Sequence, residues 1–384
     1  MTNFLTKLKS VKWKHYINYI GVGIAMLAFT LITLVGDPKR STTTLLENIT
    51  MNIILAVSLS LVVGFLGELS LGHAGFMCIG AYIGGKVSAV LAATALGDGI
   101  VNLLIATVVG ALVAGVAGFV IGLPALRLKG DYLAIVTLAF GEIVRSLFEN
   151  SSEATFNGPM GLKTPRFNRE YLFIIGFAFV LVALFVIQNT IRSKHGRAIT
   201  AIRDNEIAAH ATGINVTKYK LLGFIISAAF AGIAGVFYSF TKSVVKAEVF
   251  DYNYSIEMLV MVVLGGMGNI TGSIISATLI TILNTELQNV LSGDLAILKD
   301  IIYSLILILV VIYNNAPRLK AFREKYNPRA FIRRLMLKWR GSGYHGDDDA
   351  RWDVVPTKID MDEVISTDLA VTESTMKPDK EEKP

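Results

Sequence analysis

Residues 100–123 read IVNLLIATVVGALVAGVAGFVIGL, an uncharged stretch closed by Pro124. About 20 apolar residues in α-helix cross a hydrocarbon layer of ~30 Å, so this run is long enough to span a bilayer. Gly110, Ala114, Gly118 and Gly122 recur at every fourth position and line one helix face with small side chains. Lipid supplies no hydrophobic drive between helices, and close backbone approach along such a strip associates them instead. Ala228, Ala231, Gly232, Gly235 and Ser239 repeat the device further along the chain. Static packing is the plain reading of these strips, and a helix interface that slides during transport is the sharper one.

Outward from this span the same composition continues. The 384 residues are 53% hydrophobic and 17% charged, with a mean hydropathy of +0.56, whereas soluble chains carry about 25% charged residues. The charges crowd the two ends and thin out between Tyr16 and Pro317. Apolar length predicts spans at Ile17–Val35, Ile49–Leu66, Leu69–Ala92, Ile100–Leu123, Tyr132–Phe148, Tyr171–Ile191, Tyr219–Phe240, Ile256–Met267, Ile270–Leu287 and Ile297–Tyr313. The fold class is therefore an all-α polytopic transmembrane bundle. It has ten spans, or eight if the piece around Gly265–Gly268 dips into the membrane and returns. Composition excludes a disordered chain, a collagen-like repeat and a disulfide scaffold, since Cys78 is the only cysteine. No cleavable signal pattern is present, because the apolar stretch after Lys7, Lys9, Lys12 and Lys14 is too long.

Short loops rich in Lys and Arg face the cytoplasm. The N-terminal lysines, Arg127 with Lys129, the set Arg192, Lys194, Arg197, Arg203, Lys218 and Lys220, and the basic run from Arg318 to Arg340 satisfy that rule with both termini inside, in a cytoplasmic (inner) cell membrane. The chain then divides into a basic N-terminus (1–16), a membrane domain (17–316) with its polar loop at 192–218, a basic amphipathic segment (317–340) and an acidic tail (341–384) predicted to be disordered. Residues 317–340 interleave bases with Phe322, Phe331, Leu335 and Trp339, which suits an anionic lipid surface as well as a plain stop-transfer flank. The net charge of +6 is a membrane-protein bias and not a nucleic-acid footprint.

Two segments share a pattern: Gly67-Glu68-Leu69-Ser70 after Val62-Val63, and Gly268-Asn269-Ile270-Thr271 after Val262-Val263, each with another glycine close behind. Glycine interrupts a helix, and Ser or Thr can cap the next one. Interrupted backbone at membrane depth is tolerated only where protein or a cavity surrounds it, and paired interruptions mark transport pathways built on repeats. Path candidates are thus Ser70, Gly72, Gly75, Gly268 and Thr271, joined by the ionisable His73, Glu142 and Arg145, which are costly inside a span. Glu142 and Arg145 are three apart and able to pair; the expectation is a clamp between helices, or else contact with substrate. Lys86 is a further intramembrane charge. A metal site is not expected, since His73 has no ligating company.

The polar loop carries Arg203-Asp204-Asn205-Glu206-Ile207-Ala208-Ala209-His210-Ala211-Thr212-Gly213. Asp204 is expected to cap a helix of about two turns, with Gly213 as its stop. So short a helix is unstable alone and needs a partner surface. The chain lacks the G-x-x-x-x-G-K-[ST] phosphate loop and any catalytic constellation, so transport energy must come from an ion gradient or another polypeptide.

Glu206-Ile207-Ala208-Ala209 with Gly213 resembles the EAA-type loop of ATP-binding-cassette importer permeases. Ser70-Leu71-Gly72-His73-Ala74-Gly75-Phe76, the stretch from Leu126 to Leu138 with Phe140-Gly141-Glu142-Ile143-Val144-Arg145, and Asn157-Gly158-Pro159-Met160-Gly161-Leu162 resemble the branched-chain amino acid permease family, in its larger membrane subunit. The likeness covers most of residues 45–315; the acidic extension after Gly341 departs from it. The resemblance implies a complex with a second permease subunit, two cytoplasmic ATPases and an extracytoplasmic binding protein delivering leucine, isoleucine or valine. ATP would be used by the partner, with no cofactor in this chain. Carried over by position, Arg203, Asp204, Glu206, Ala208, Ala209 and Gly213 would couple to the ATPase. Related permeases carry urea, amides or other amino acids. The competing class is an ion-coupled secondary transporter using Glu142, Arg145 and His73; a membrane enzyme is a third.

Overall fold

The computed structural model describes residues 17–35, 40–93, 97, 99–128, 130–165, 172–290 and isolated helical positions between 301 and 312. The basic N-terminus, most of the last expected span, and the segments 317–340 and 341–384 lie outside the described residues.

Among the described residues the chain is a helical bundle with one two-residue ribbon. The helices are α1 (Ile17–Val35), α2 (Arg40–Ser60, continued by a π-helical turn Leu61–Leu66), α3 (His73–Ala92), α4 (Ile100–Ala125), α5 (Asp131–Glu149), α6 (Leu172–Arg192), α7 (Lys194–Asp204), α8 (Glu206–Ala211), α9 (Val216–Thr241), α10 (Tyr252–Gly265) and α11 (Ile270–Val290). Strands β1 (Leu162–Lys163) and β2 (Val244–Val245) pair antiparallel. Six of the described helices are long and apolar enough to cross a membrane: α2 with its π turn, α3, α4, α6, α9 and α11. In α1 and α10 the apolar stretches are shorter, and α5 carries Asp131, Glu142, Arg145 and Glu149.

α2 is the central element. Its apolar window is 94% buried, against 33% for α4, which turns Leu104, Val108, Leu112, Val116 and Val120 outward. It also begins earlier than apolar length predicts, at Arg40, because buried Glu47 and Thr50 are absorbed by the helix: the Thr50 hydroxyl donates to Glu47 O at 2.9 Å. The small-residue strip of α4 meets that of α9. A Cβ on Gly118 would stand 2.6 Å from Ala228 Cβ, and one on Gly232 would stand 2.5 Å from Ala114 Cβ. α3 lies along α9 in the same way, Gly80 against Gly232 and Gly235 against the Met77 carbonyl.

These contacts fix the direction of each helix. Gly122 of α4 packs on Leu221 and Phe224 near the start of α9, and Asn18 of α1 accepts a hydrogen bond from Thr271 at 2.7 Å near the start of α11. The α7–α8 loop therefore shares one end of the bundle with the N-terminal side of α1, the end of α4 and the α10–α11 turn. At the opposite end lie the β ribbon, the turn at Asn157–Gly161 and the aromatic stack of Tyr82 on Phe148, 4.4 Å apart.

Two expectations are corrected. The span expected from Leu69 is helical only from His73; residues 67–72 are non-helical. Ser70 does not cap α3, and its buried hydroxyl has no hydrogen-bond partner. The freed backbone donors are met from other helices instead: Leu71 N–H donates to Thr137 Oγ1 at 3.0 Å and Ala74 N–H to Ser255 Oγ at 3.1 Å. Nor does Thr271 cap α11, since Asn269 Oδ1 accepts from Gly272 N–H at 3.2 Å. In a packed interior a hydroxyl on a neighbouring helix can replace a local cap.

Candidate functional site

The polar loop folds as two short helices with a hydrophobic underside. Ser193 caps α7, its hydroxyl accepting from His195 and Gly196 N–H. Ile202, Ala209 and Val216, with Ala201, Ile214 and Tyr219 against them, form a small core beneath α7, α8 and the start of α9. This core supplies the partner surface that the six-residue α8 lacks by itself. The cap of α8 is Asn205, whose Oδ1 accepts from Ala208 N–H at 3.0 Å, and not Asp204. The reason is backbone geometry: Asn205 sits in the extended region at φ −159°, as an N-cap requires, while Asp204 is the last residue of α7 and pairs with Arg203 at 3.0 Å. Gly213, at φ +84°, ends α8 as expected. Ala209 faces inward, whereas Ile207, 79% exposed, points outward with Ala208, His210 and Ala211 exposed around it.

Arg203 reaches from α7 into the bundle. Its Nη1 donates to the carbonyl of Gly64 at 3.1 Å, and its Cγ would stand 2.7 Å from a Cβ on Gly67. The same Nη1 would lie 3.4 Å from a Cβ on Gly268. Gly64 itself has room only for hydrogen beside Gly268, whose nitrogen would be 2.5 Å from an added Cβ. The two interruptions expected from the sequence thus touch, and one arginine rests on both. Their glycines hold left-handed backbone, φ +79° at Gly67 and +81° at Gly268, which L-residues enter at about 1–2 kcal/mol.

Beside Arg203, Lys220 near the start of α9 is 4% exposed in its side chain, with Nζ 2.5 Å from Glu68 Oε1. It also lies 3.5 Å from Glu206 Oε2. Lys220, Glu68 and Gly64 were not among the expected site residues. Lys220 reads in the sequence as one more loop base, and only folding reveals that its ammonium is buried between carboxylates from two elements.

The path candidates divide. Gly72 packs on the Thr137 carbonyl and Gly75 on Gly141 of α5. His73 Nε2 meets Ser58 Oγ at 2.8 Å, whose residue accepts from the Ser227 hydroxyl at 2.6 Å through its carbonyl. Gly268 falls in with the loop contacts, and Thr271 binds Asn18 beside it. Glu142 and Arg145 do pair, at 2.9 Å, but Arg145 also takes Glu149 at 3.0 Å. All three lie on α5, so the expected clamp between helices is an i,i+3/i,i+4 clamp within one helix. Gly141 beside Gly75 and Phe148 beside Tyr82 spread these charges from the middle of α5 to its last residue, Glu149, at the ribbon end. Their side chains remain 28–33% exposed. Lys86 donates to Thr155 O at 2.6 Å. Among the described residues no three His, Cys, Asp or Glu side chains converge as a metal site requires.

A bundle of apolar helices, with two glycine breaks meeting beneath a helical side loop, defines a multi-pass membrane protein. The chain belongs to the family described as branched-chain amino acid transport system / permease component, which matches residues 41–311. It is similar to the high-affinity branched-chain amino acid transport system permease protein LivM of Salmonella typhimurium, 38% identical over 60% of this chain and 60% of that protein. It is also similar to two Escherichia coli proteins. The ribose import permease protein RbsC is 29% identical over 76% of this chain and 92% of that protein. The high-affinity branched-chain amino acid transport system permease protein LivH is 26% identical over 67% and 88% respectively. The match thus spans about three fifths of the LivM length. No solved structure matches the chain.

Proposed function

We propose that this chain is the membrane-spanning permease subunit of an ATP-binding-cassette importer that passes leucine, isoleucine or valine across the cytoplasmic membrane. Its partners are a second permease subunit, two cytoplasmic ATPases and an extracytoplasmic binding protein. The carrying observation is the reach of Arg203 from the side loop to Gly64 O and onto Gly67 and Gly268. A displacement of α7–α8 is passed directly to both interrupted spans. The loop end is the cytoplasmic one, since Arg127, Arg192, Lys194, Arg197, Arg203 and Lys218 collect there, and both termini share that side. Ile207 and its exposed neighbours on α8 are the surface that seats in the ATPase subunit; Arg203, Glu206 and Ala209 tie the helix to the bundle, and Asn205 and Gly213 bound it. ATP is used by the partner, and this subunit needs no cofactor of its own.

Solute passes along α5 and the Gly67–Gly75 segment. Charge within a membrane span is expensive and marks water-filled paths; the Glu142–Arg145–Glu149 clamp, about a third exposed, fits such a path and not a lipid-facing surface. Gly72 and Gly75 pack on α5 at Thr137 and Gly141, and Ser70 and His73 are buried in the bundle beside them.

The test is the reconstituted complex in sealed liposomes. The expected result is ATP-dependent uptake, abolished by Gly213→Pro or Glu206→Lys with membrane insertion intact. Uphill accumulation by this chain alone without nucleotide would overturn the assignment and favour the secondary transporter. Titration of the binding protein tests the substrate: saturation by ribose and not by leucine, isoleucine or valine would replace the solute while keeping the class.

A further inference from the structure

A lysine inside a bundle needs a reason. Taking an ammonium out of water costs several kcal/mol, and replacing a buried ion pair by apolar side chains is often neutral or stabilising. Stability alone therefore does not account for Lys220, 4% exposed in its side chain, between Glu68 and Glu206. The two carboxylates are unequal. Glu68 follows Gly67 in the first interruption; it is 12% exposed in its side chain and stands 2.5 Å from Nζ. Glu206 is the first residue of α8, 33% exposed and 3.5 Å away. Lys220 belongs to neither: it lies on α9, whose small residues lock against α3 and α4. One cation fixed in the rigid wall thus holds an inner carboxylate tightly and an outer one loosely.

We propose that Lys220 is a positioning residue of the transport cycle, an ionic latch through which the side loop controls the interrupted segment Gly67–Gly72. In the structure seen, the ammonium is shared. When α8 is drawn away from the bundle, the longer Glu206 arm parts first and the whole charge of Lys220 passes to Glu68, tightening the interruption. When α8 returns, sharing resumes and Glu68 is eased. Arg203 carries the same motion mechanically, through Gly64 O, while Lys220 carries it electrostatically. This reading rests on the importer assignment above, and the experiment separates the two.

The measurement uses the full complex in liposomes, with solute uptake and ATP hydrolysis followed together, with and without loaded binding protein. Coupling energies between sites commonly amount to about 5–150-fold. Lys220→Met is expected to cut uptake by about tenfold or more while ATP hydrolysis persists and no longer responds to the binding protein. Lys220→Arg keeps the cation and restores the response. Glu206→Gln weakens coupling in the wild-type background but adds nothing to Lys220→Met. If Lys220→Met fails to assemble, Glu206→Gln and Glu68→Gln are read in its place, each losing the binding-protein response at normal yield. Uptake and a hydrolysis response like the wild type in all assembled variants would overturn the latch. So would a loss of uptake that merely follows a loss of assembled complex throughout the series. A wild-type complex that never transports with ATP would instead strike the importer assignment.

Discussion

Gly67-Glu68-Leu69-Ser70 and Gly268-Asn269-Ile270-Thr271 have the same chemical order, and they do different things. At the second, α10 ends, Gly266 and Gly268 take positive φ, and α11 starts immediately at Ile270. The result is a tight hairpin, with Gly265 and Gly272 backbone to backbone and Asn269 as a local cap. At the first, a π-helical turn precedes Gly67, and six residues pass before α3 begins at His73. That segment returns into the bundle beside α5 and borrows its hydrogen bonds from Thr137 and Ser255. The first interruption is held by Arg203 of the side loop and by Lys220 of α9, whereas of these two only Arg203 touches the second. Local pattern sets where a helix breaks. What packs against the break decides whether it turns back or re-enters.

Substitutions that separate the two breaks sharpen this contrast. Gly72→Val is the most severe, because its Cβ would run into the Thr137 carbonyl, a backbone atom that cannot step aside; overpacking costs about 1–3 kcal/mol or more. Loss of monodisperse complex on size-exclusion is expected, and a normal profile would mean the re-entrant segment is not tightly seated. Arg203→Met removes a charged donor worth about 1.5–3 kcal/mol, so uptake should drop about tenfold at normal yield. Normal uptake would dissociate the loop from both breaks.

Gly67→Ala and Gly268→Ala each meet about 1–2 kcal/mol of backbone strain, but only Gly67 adds a clash with Arg203 Cγ, at 2.7 Å. In detergent melts Gly67→Ala should lie below Gly268→Ala; the reverse order would show that the hairpin is the more constrained site. Asn205→Ala should cost about 1 kcal/mol in the same melts while Asp204→Ala costs less, and equal effects would return the cap to Asp204. Thr271→Val, which removes one bond to Asn18, is the mildest: a loss within about 1 kcal/mol, with uptake close to wild type.

Much was legible before folding. Helix positions followed from apolar length, which for Ile17–Val35 gave the observed bounds, and the small-residue strips of α4 and α9 pack as their spacing implies. Gly213 and the breaks at Gly67 and Gly268 were readable because positive φ is a local demand that glycine alone meets cheaply. The site was only half legible. Arg203 and Glu206 stood out through the loop motif, but their receivers, Gly64, Glu68 and Lys220, carry no periodic or motif signal. Asp204 reads as the cap in the sequence because Asp and Asn are both good caps, and only the turn between α7 and α8 decides that Asn205 is the non-helical one. The Glu142–Arg145 pair was visible from spacing, but not that Glu149 completes it on the same helix.

The chain by itself determined that it enters a membrane, roughly where it crosses and where its helices must break, since hydrophobic length and glycine geometry act locally. Tertiary structure alone decided that the two breaks lie side by side beneath one arginine, and that Lys220 becomes a buried charge between two carboxylates. Such meetings depend on which faces pack at a distance in sequence, and that choice is made by the whole bundle at once.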